Sequence, residues 1–412
     1  MRARRDAVVP VRLPAGVRDW LPHELARKRE IEQQMRAVFG RWAYEEVHTP
    51  IIERLDVLER GLGEETTELL FHFNDRRSTA LALRPEMTTP VARLVSTRMR
   101  EAPLPLRLAY VAPVFRYYEQ PQEGRMRELT QAGVELIGAA GIDADAETLF
   151  MAIEGLDEIG LRDACFDIND ARIVDGILDG AGLDGEAARE AKELIKVRNL
   201  VGLRKFDRPE LVEFAQRRGR HDAIESARGI CRTPESRAAL DDLHVMLDRA
   251  DSLGYQDRVS VDFALLRDLD YYTGFLFEGY VGEIGFSLCG GGRYDSLLPR
   301  FGFDVPAVGW TAGAERLLIA LERRGKHVRR RRHRVDVLVA GSDVVAARER
   351  AAGNIVRYAG SDLGDDALVE EARAHGIPRV VIAIDGTVRE LRVGPRIGEL
   401  PVPRTPSNWD AR

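Results

Sequence analysis

Apolar positions along this chain recur with two different periods, and the blocks they form outline an architecture. After Pro22, residues Ile31, Met35, Val38, Phe39 and Trp42 return at three- and four-residue spacing. That spacing gathers them on one side of a helix, and proline suits the first helical turn, where its missing N–H costs nothing. The run VHTPII (Val47–Ile52) predicts a strand. Pro50 cannot donate to a ladder, which confines that strand to an edge or an interface. The runs FHF and ALALR, broken at Asn74-Asp75, predict a hairpin. Helical patterns over Val91–Met99 and from Asp145 to Ile159 flank a longer strand pair, LRLAYVAPVF and AGVELIG, joined by a charged turn.

From Asp170 to Gly254 the chain is rich in Ala, Leu, Glu and Arg and poor in strand signals, which predicts a helical insertion. Strand patterns return at VSVDFALL, YYTGFLFEGYV and IGFSLCGGG. GWTAGAERLL reads as a glycine-bearing turn leading Glu315 and Arg316 into a helix that begins near Thr311. The basic run Lys326–Arg334 reads as a solvated linker, with a patch for RNA or an acidic partner as the alternative. Beyond it, VDVLVAG and IPRVVIAI predict buried strands, and VAARERAAGNIV a helix ending near Val356. YAGSDLGDDALVEEARAHG shows no clear second strand. The expected class is α+β, with a core over 1–325 carrying the insertion at 170–254, a linker over 326–334 and a small α/β domain over 335–412.

Composition narrows the function. A net charge of −6 gives no global footprint for nucleic acid. No apolar run is long enough to span a bilayer, and the basic N-terminus lacks an apolar h-region, so cytoplasm is the expected compartment. Cys165, Cys231 and Cys289 lie far apart with no C-x-x-C pairing, so neither a disulfide framework nor a metal site is expected, and no cofactor is. P-loop, Rossmann, H-E-x-x-H and G-x-S-x-G patterns are absent, as is the acidic Thr/Gly loop with which phosphoribosyltransferases hold ribose-phosphate.

Candidate chemistry concentrates in Pro113–Gly138, which carries Arg116, Arg125 and Arg127 with Glu119, Glu128 and Glu135. Guanidinium groups give bidentate, permanently charged contacts to phosphate oxygens, although a solvated, salt-bridged hairpin would look the same. LRPEMTTP (Leu83–Pro90), RDLDYYTG (Arg267–Gly274), CGGGRYD (Cys289–Asp295) and GWTAGAERLL add carboxylates, hydroxyls and glycines. Three consecutive glycines suit a close backbone approach to a ligand.

In this order, and with the opening PAGVRDWLP (Pro14–Pro22), these motifs resemble the catalytic core of histidyl-tRNA synthetase over residues 12–325. The resemblance implies a class II aminoacyl-tRNA synthetase-like antiparallel sheet flanked by helices, with the Pro50 strand at a dimer interface. It implies that Glu86, Thr88 and Gln131 hold a histidine α-amino group, and that Glu135, Tyr271 and Tyr272 surround the imidazole. It places Arg116, Glu119, Arg125, Arg267 and Arg316 in an ATP and adenylate pocket.

Several positions depart from the synthetase pattern F-R-x-E-R-P-Q and its partners. Here Phe115-Arg116-Tyr117-Tyr118-Glu119-Gln120-Pro121-Gln122 has one extra residue before the glutamate and Gln120 in place of the second arginine. Asp268 stands where that family has glycine, and Met87 where it has the glycine of LRPEGT. LRPEMTTPVAR is similar to a second family on the same core, the regulatory subunit of ATP phosphoribosyltransferase. That reading implies a chain that makes no bonds itself. It partners a short catalytic subunit that joins ATP to phosphoribosyl pyrophosphate in the first step of histidine biosynthesis. It implies a homodimer core within a hetero-octamer, a vestigial adenylate pocket, histidine as a possible effector and no tRNA. An active histidyl-tRNA synthetase is the alternative, and a stand-alone histidine or adenylate sensor the third.

Overall fold

The computed structural model describes residues 12–62, 64–266, 272–325, 335–359, 363–384 and 387–393. The chain divides into two compact units, Met1–Val328 and Arg329–Arg412.

The first unit is built on a nine-stranded sheet. Its strands in chain order are β1 (Glu45–Glu46), β2 (Leu106–Phe115), β3 (Glu128–Ile137), β4 (Cys165–Asp170), β5 (Arg218–Gly219), β6 (Val259–Asp262), β7 (Phe275–Tyr280), β8 (Cys289–Arg293) and β9 (Ala307–Gly313). In space they run β1-β2-β3-β9-β8-β7-β4-β6-β5. The β1–β2 and β4–β6 pairs are parallel and the other pairs antiparallel.

Alternation along the strands divides the core. Ala132, Val134 and Leu136 of β3 and Val308, Trp310 and Ala312 of β9 pack into the larger apolar cluster, with Ile31, Met35, Val38 and Phe39 of the helix Pro22–Arg41 and with the helix Ile142–Glu158. Leu106, Leu108, Tyr110, Ala112 and Val114 of β2 point the other way, to the helix Thr88–Arg98. Because side chains alternate with period two, Gln131, Gly133 and Glu135 share that second face.

The hairpin at Asn74-Asp75 forms from His72–Asn74 and Ala80–Leu83, and Ile52–Arg54 joins it as a three-stranded sheet. VHTPII is not one strand. Residues 47–50 are irregular, between Glu45–Glu46 and Ile52–Arg54. There the buried Arg84 guanidinium donates to the Thr49 and Pro50 carbonyls (2.6 and 3.3 Å) and to the Pro113 carbonyl (2.9 Å), standing in for a ladder that proline interrupts. GWTAG is not a turn but β9, and the helix starts at Ala314. The strand was hidden because its glycines and alanines have low strand propensity, and it is held by burial on both faces. The insertion is helical, comprising Ala171–Gly180, Gly185–Lys196, Leu200–Leu203, Pro209–Gln216, His221–Ala227 and Pro234–Ser252.

In the second unit, parallel strands Val356–Ala359, Val337–Ala340 and Arg379–Ile384 form a sheet edged by the antiparallel strand Thr387–Arg392. Val337 and Val339 bury on one face, Leu338 and Ala340 on the other. The predicted helix ending near Val356 stops at Ala351, and Val356–Ala359 is the second strand that the sequence concealed. Arg357 and Tyr358 are exposed on this edge, so its apolar pattern is weak. The basic run 326–334 lies outside the described residues.

Candidate functional site

A buried polar cluster lies on the helix Thr88–Arg98 face of the sheet. Glu135 is 2% exposed and accepts hydrogen bonds from the hydroxyls of Tyr110 on β2 (3.0 Å) and of Tyr294 just after β8. The Thr88 hydroxyl shares hydrogen bonds with Glu135 and Tyr110. Glu86, also 2% exposed, accepts the backbone N–H groups of Thr88 (2.5 Å) and Thr89 (2.9 Å). It thereby serves the unpaired donors at the start of the helix Thr88–Arg98. The start of this helix is thus capped by a glutamate side chain.

Missing side chains make room for this cluster. A Cβ on Gly309, which sits opposite Glu135 on β9, would fall 2.0 Å from the Glu135 Oε2. On Gly133 it would fall 2.7 Å from the Tyr110 hydroxyl, and on Gly292 2.9 Å from the Tyr272 ring. The glycine run of CGGGRYD therefore forms the strand β8, and its bare backbone accommodates Tyr272 and, at Gly291, Trp310. Arg293 of that motif is structural: it donates to Asp145 at 3.0 Å and to Asp295 at 3.1 Å beneath the sheet.

Burial is the first cause that raises the Glu135 carboxyl to about 8, and the nearby Glu86 charge adds to it against the hydrogen bonds of Tyr294, Thr88 and Tyr110. At neutral pH Glu135 is therefore largely protonated, and binding a cationic group would favour its ionisation. Burial, followed by Glu135, also lifts Tyr110 well above the ordinary phenol range. Gln131, four residues before Glu135 on the same face, is buried, and its Oε1 has no hydrogen-bond partner among the described residues. A buried amide oxygen left unpaired is costly unless a ligand or water completes it.

The other end of the hairpin gathers arginines. β2 ends at Phe115, and the ladder continues one bond further, from the Arg116 N–H to the Arg127 carbonyl (2.9 Å). The Tyr117 N–H then turns away to the Leu69 carbonyl (2.8 Å). Arg127 donates twice to the Tyr118 carbonyl (2.9 and 2.8 Å), with its guanidinium 4.4 Å over the Tyr117 ring, which in turn packs edge-on against Phe71. The extra residue is thus absorbed in an irregular turn outside the strand. Arg116 donates to the Pro85 carbonyl (2.8 Å), and Arg316 to the Gly124 and Ser287 carbonyls (2.9 Å each). Burial and the Arg116 and Arg125 charges push Arg316 below the usual arginine value, which puts these three cations in one neighbourhood.

Of the residues singled out in the sequence, Glu86, Thr88 and Glu135 converge, Gln131 shares their sheet face, and Tyr272 lies against β8 at Gly292. Arg116, Arg125 and Arg316 form the second group. Glu119 is exposed in the irregular turn, and Arg267 and Tyr271 lie outside the described residues. Tyr110 and Tyr294, direct partners of Glu135, were missed. Tyr294 was legible in GGGRYD, and Tyr110 from its alternation with the apolar residues of β2.

The description "Histidyl-tRNA synthetase" belongs to the family model that matches residues 16–317. The ATP phosphoribosyltransferase regulatory subunit of Moorella thermoacetica is 40% identical over 353 residues, covering 84% of this chain and 88% of that protein. That of Symbiobacterium thermophilum is 37% identical over 393 residues, covering 91% and 97%. Among solved structures, an ATP phosphoribosyltransferase regulatory subunit/histidyl-tRNA synthetase from Bacillus halodurans aligns with a TM-score of 0.79 at 29% identity, covering 92% of this chain and all of that one. Histidyl-tRNA synthetase from Nostoc aligns with a TM-score of 0.75 at 20% identity, covering 93% and 97%, which bears on the fold alone. On this sequence similarity, the chain belongs to the family of ATP phosphoribosyltransferase regulatory subunits, built on the histidyl-tRNA synthetase fold.

Proposed function

We propose that this chain is the non-catalytic regulatory subunit of a two-component ATP phosphoribosyltransferase. It assembles with a short catalytic subunit that forms phosphoribosyl-ATP from ATP and phosphoribosyl pyrophosphate, the first step of L-histidine biosynthesis. The observation that carries this reading is the similarity at 40% identity, over most of both chains, to a protein of that name. Two copies would pair through the core, within a larger hetero-oligomer.

Histidine is the proposed effector, held in the Glu135 pocket. Glu86 and the Gln131 Oε1 offer acceptors to an ammonium group. Glu135 offers a carboxyl that can accept from or donate to an imidazole nitrogen, and Tyr272 closes the imidazole end. The arginine end is proposed as a vestigial adenylate pocket. Its support is that Arg116 and Arg316 already donate to backbone carbonyls, and a phosphate would have to compete for them. An effector acts only through different affinities for two states of the assembly, so histidine should bind the inhibited state more tightly.

The test is to assay the purified chain alone for histidine-dependent ATP–pyrophosphate exchange and tRNA charging, and with the short catalytic subunit for phosphoribosyl-ATP formation. No exchange alone, together with activity dependent on the mixture, is expected. Robust charging by the chain alone would overturn the proposal in favour of an active synthetase.

A further inference from the structure

The helical insertion holds a side-chain cluster that the histidine pocket does not use. His244 and Asp248 stand four residues apart on the helix Pro234–Ser252, and so on one face of it. His221, the first residue of the helix His221–Ala227, faces them. Its Nε2 lies 3.0 Å from the Asp248 Oδ1, and the His244 Nε2 lies 3.8 Å from the other carboxylate oxygen. The two imidazole rings meet edge-on with centroids 4.6 Å apart. One ligand atom from each of the three residues lies within 4.8 Å of the other two.

We propose that His221, His244 and Asp248 bind a divalent transition-metal ion of the zinc class. Bonds of about 2.0–2.1 Å at tetrahedral angles separate neighbouring ligand atoms by about 3.3–3.4 Å. The two imidazole nitrogens stand 3.0 and 3.8 Å from different oxygens of Asp248, and one ligand atom from each residue lies within 4.8 Å of the others, so side-chain rotation would bring the three to that spacing. Two imidazole nitrogens with one carboxylate form a donor set that suits zinc, cobalt or nickel better than magnesium or calcium, which prefer oxygen. One hydrogen bond would satisfy an imidazole and a carboxylate, whereas convergence of a second imidazole on the same carboxylate is what a shared cation requires. The neighbouring Arg220 guanidinium is engaged by Asp251 and by the Gln256 carbonyl, which leaves the charge of Asp248 to the ion.

All three side chains are partly solvent-accessible, so water can complete the coordination. The His244 Nδ1 is buried and has no hydrogen-bond partner among the described residues, so the outer support that sharpens metal sites is incomplete. Micromolar affinity is therefore expected. The bound ion would staple the helix His221–Ala227 to the helix Pro234–Ser252 across the intervening turn.

The experiment titrates the metal-free, full-length chain with Co2+ and follows its visible absorption, then displaces it with Zn2+. One equivalent per chain with the intense bands of four-coordinate cobalt is expected, together with a rise of about 3 °C in the melting temperature at saturating Zn2+. Both effects should vanish in His244→Gln and in His221→Gln, with folding checked by circular dichroism. Should either variant fail to fold, paramagnetic broadening of the His221 and His244 ring resonances in the unmodified chain decides the matter. Absence of the cobalt bands, bands that persist in both variants, or broadening confined to other histidines would overturn the site.

Discussion

The two ends of the β2–β3 hairpin have been furnished in opposite ways. At the sheet end, Glu135, Glu86 and Gln131 are each buried. One carboxyl is driven to about 8 and one amide oxygen lacks a partner among the described residues. At the turn end, Arg116, Arg127 and Arg316 donate to carbonyls of Pro85, Tyr118, Gly124 and Ser287. At the sheet end the Gln131 Oε1 keeps polar capacity in reserve at an energetic cost, whereas at the turn end Arg116, Arg127 and Arg316 use theirs to hold a loop together. Stored capacity of the first kind is what binding a ligand can release, and satisfied capacity of the second kind is what a scaffold needs. The contrast is what the proposed reading expects of a site that recognises an amino acid without activating it.

Substitution at the sheet end should break this contrast most severely. Glu135→Ala should abolish histidine binding in calorimetry, a loss of about 2–5 kcal/mol. It should also lower stability by about 1–3 kcal/mol, because the Tyr110 and Tyr294 hydroxyls lose the carboxyl that accepts from both. Unchanged binding would mean that the pocket is assigned to the wrong residues. Gly309→Ala tests the same carboxyl from behind. The new methyl would meet the Glu135 Oε2 and the Val134 carbonyl, so stability should fall by about 1–3 kcal/mol and histidine affinity at least about tenfold.

A subtler signature is the dependence of stability on pH. In the folded chain Glu135 keeps its proton up to about 8, while in the unfolded chain it ionises near the ordinary carboxylate value. Between those values the folded state binds the extra proton. This group's contribution is therefore fully present below the unfolded value and is lost as pH rises through about 8. Denaturant midpoints measured from pH 5 to pH 9 should fall more steeply for the unmodified chain than for Glu135→Gln, and parallel curves would contradict the burial of an ionisable Glu135. The smallest effect is expected at the turn end. Arg127→Ala removes two hydrogen bonds and a stacking contact, costing about 1–2 kcal/mol of stability. Histidine affinity should stay within about threefold, because a scaffold residue bears on the pocket only indirectly.

Legibility followed the same division. Long periodic blocks, such as the helix Pro22–Arg41 and the strands flanking the charged turn, declared themselves through burial on one side. Elements whose stability comes from neighbours did not. β9 carries Gly309 where a side chain would meet Glu135, and local propensity reads its glycines and alanines as a turn. Val356–Ala359 is an edge strand with exposed Arg357 and Tyr358, so alternation was lost. The irregular stretch around Pro50 owes its shape to Arg84, more than thirty residues away in sequence. In the buried cluster, Glu135 could be named from its motif and the facing of Tyr110 from alternation along β2, but that the two meet depends on register. Which arginines are engaged by carbonyls is a matter of loop conformation, which motif spacing does not encode.

The most direct measurement is a histidine titration of phosphoribosyl-ATP formation by the short catalytic subunit assembled with this chain, carried out in parallel with the Glu135→Gln chain. The account predicts that histidine inhibits the assembly containing the unmodified chain and that the Glu135→Gln assembly is insensitive at the same concentrations. Equal activity with and without histidine in the unmodified assembly would contradict it.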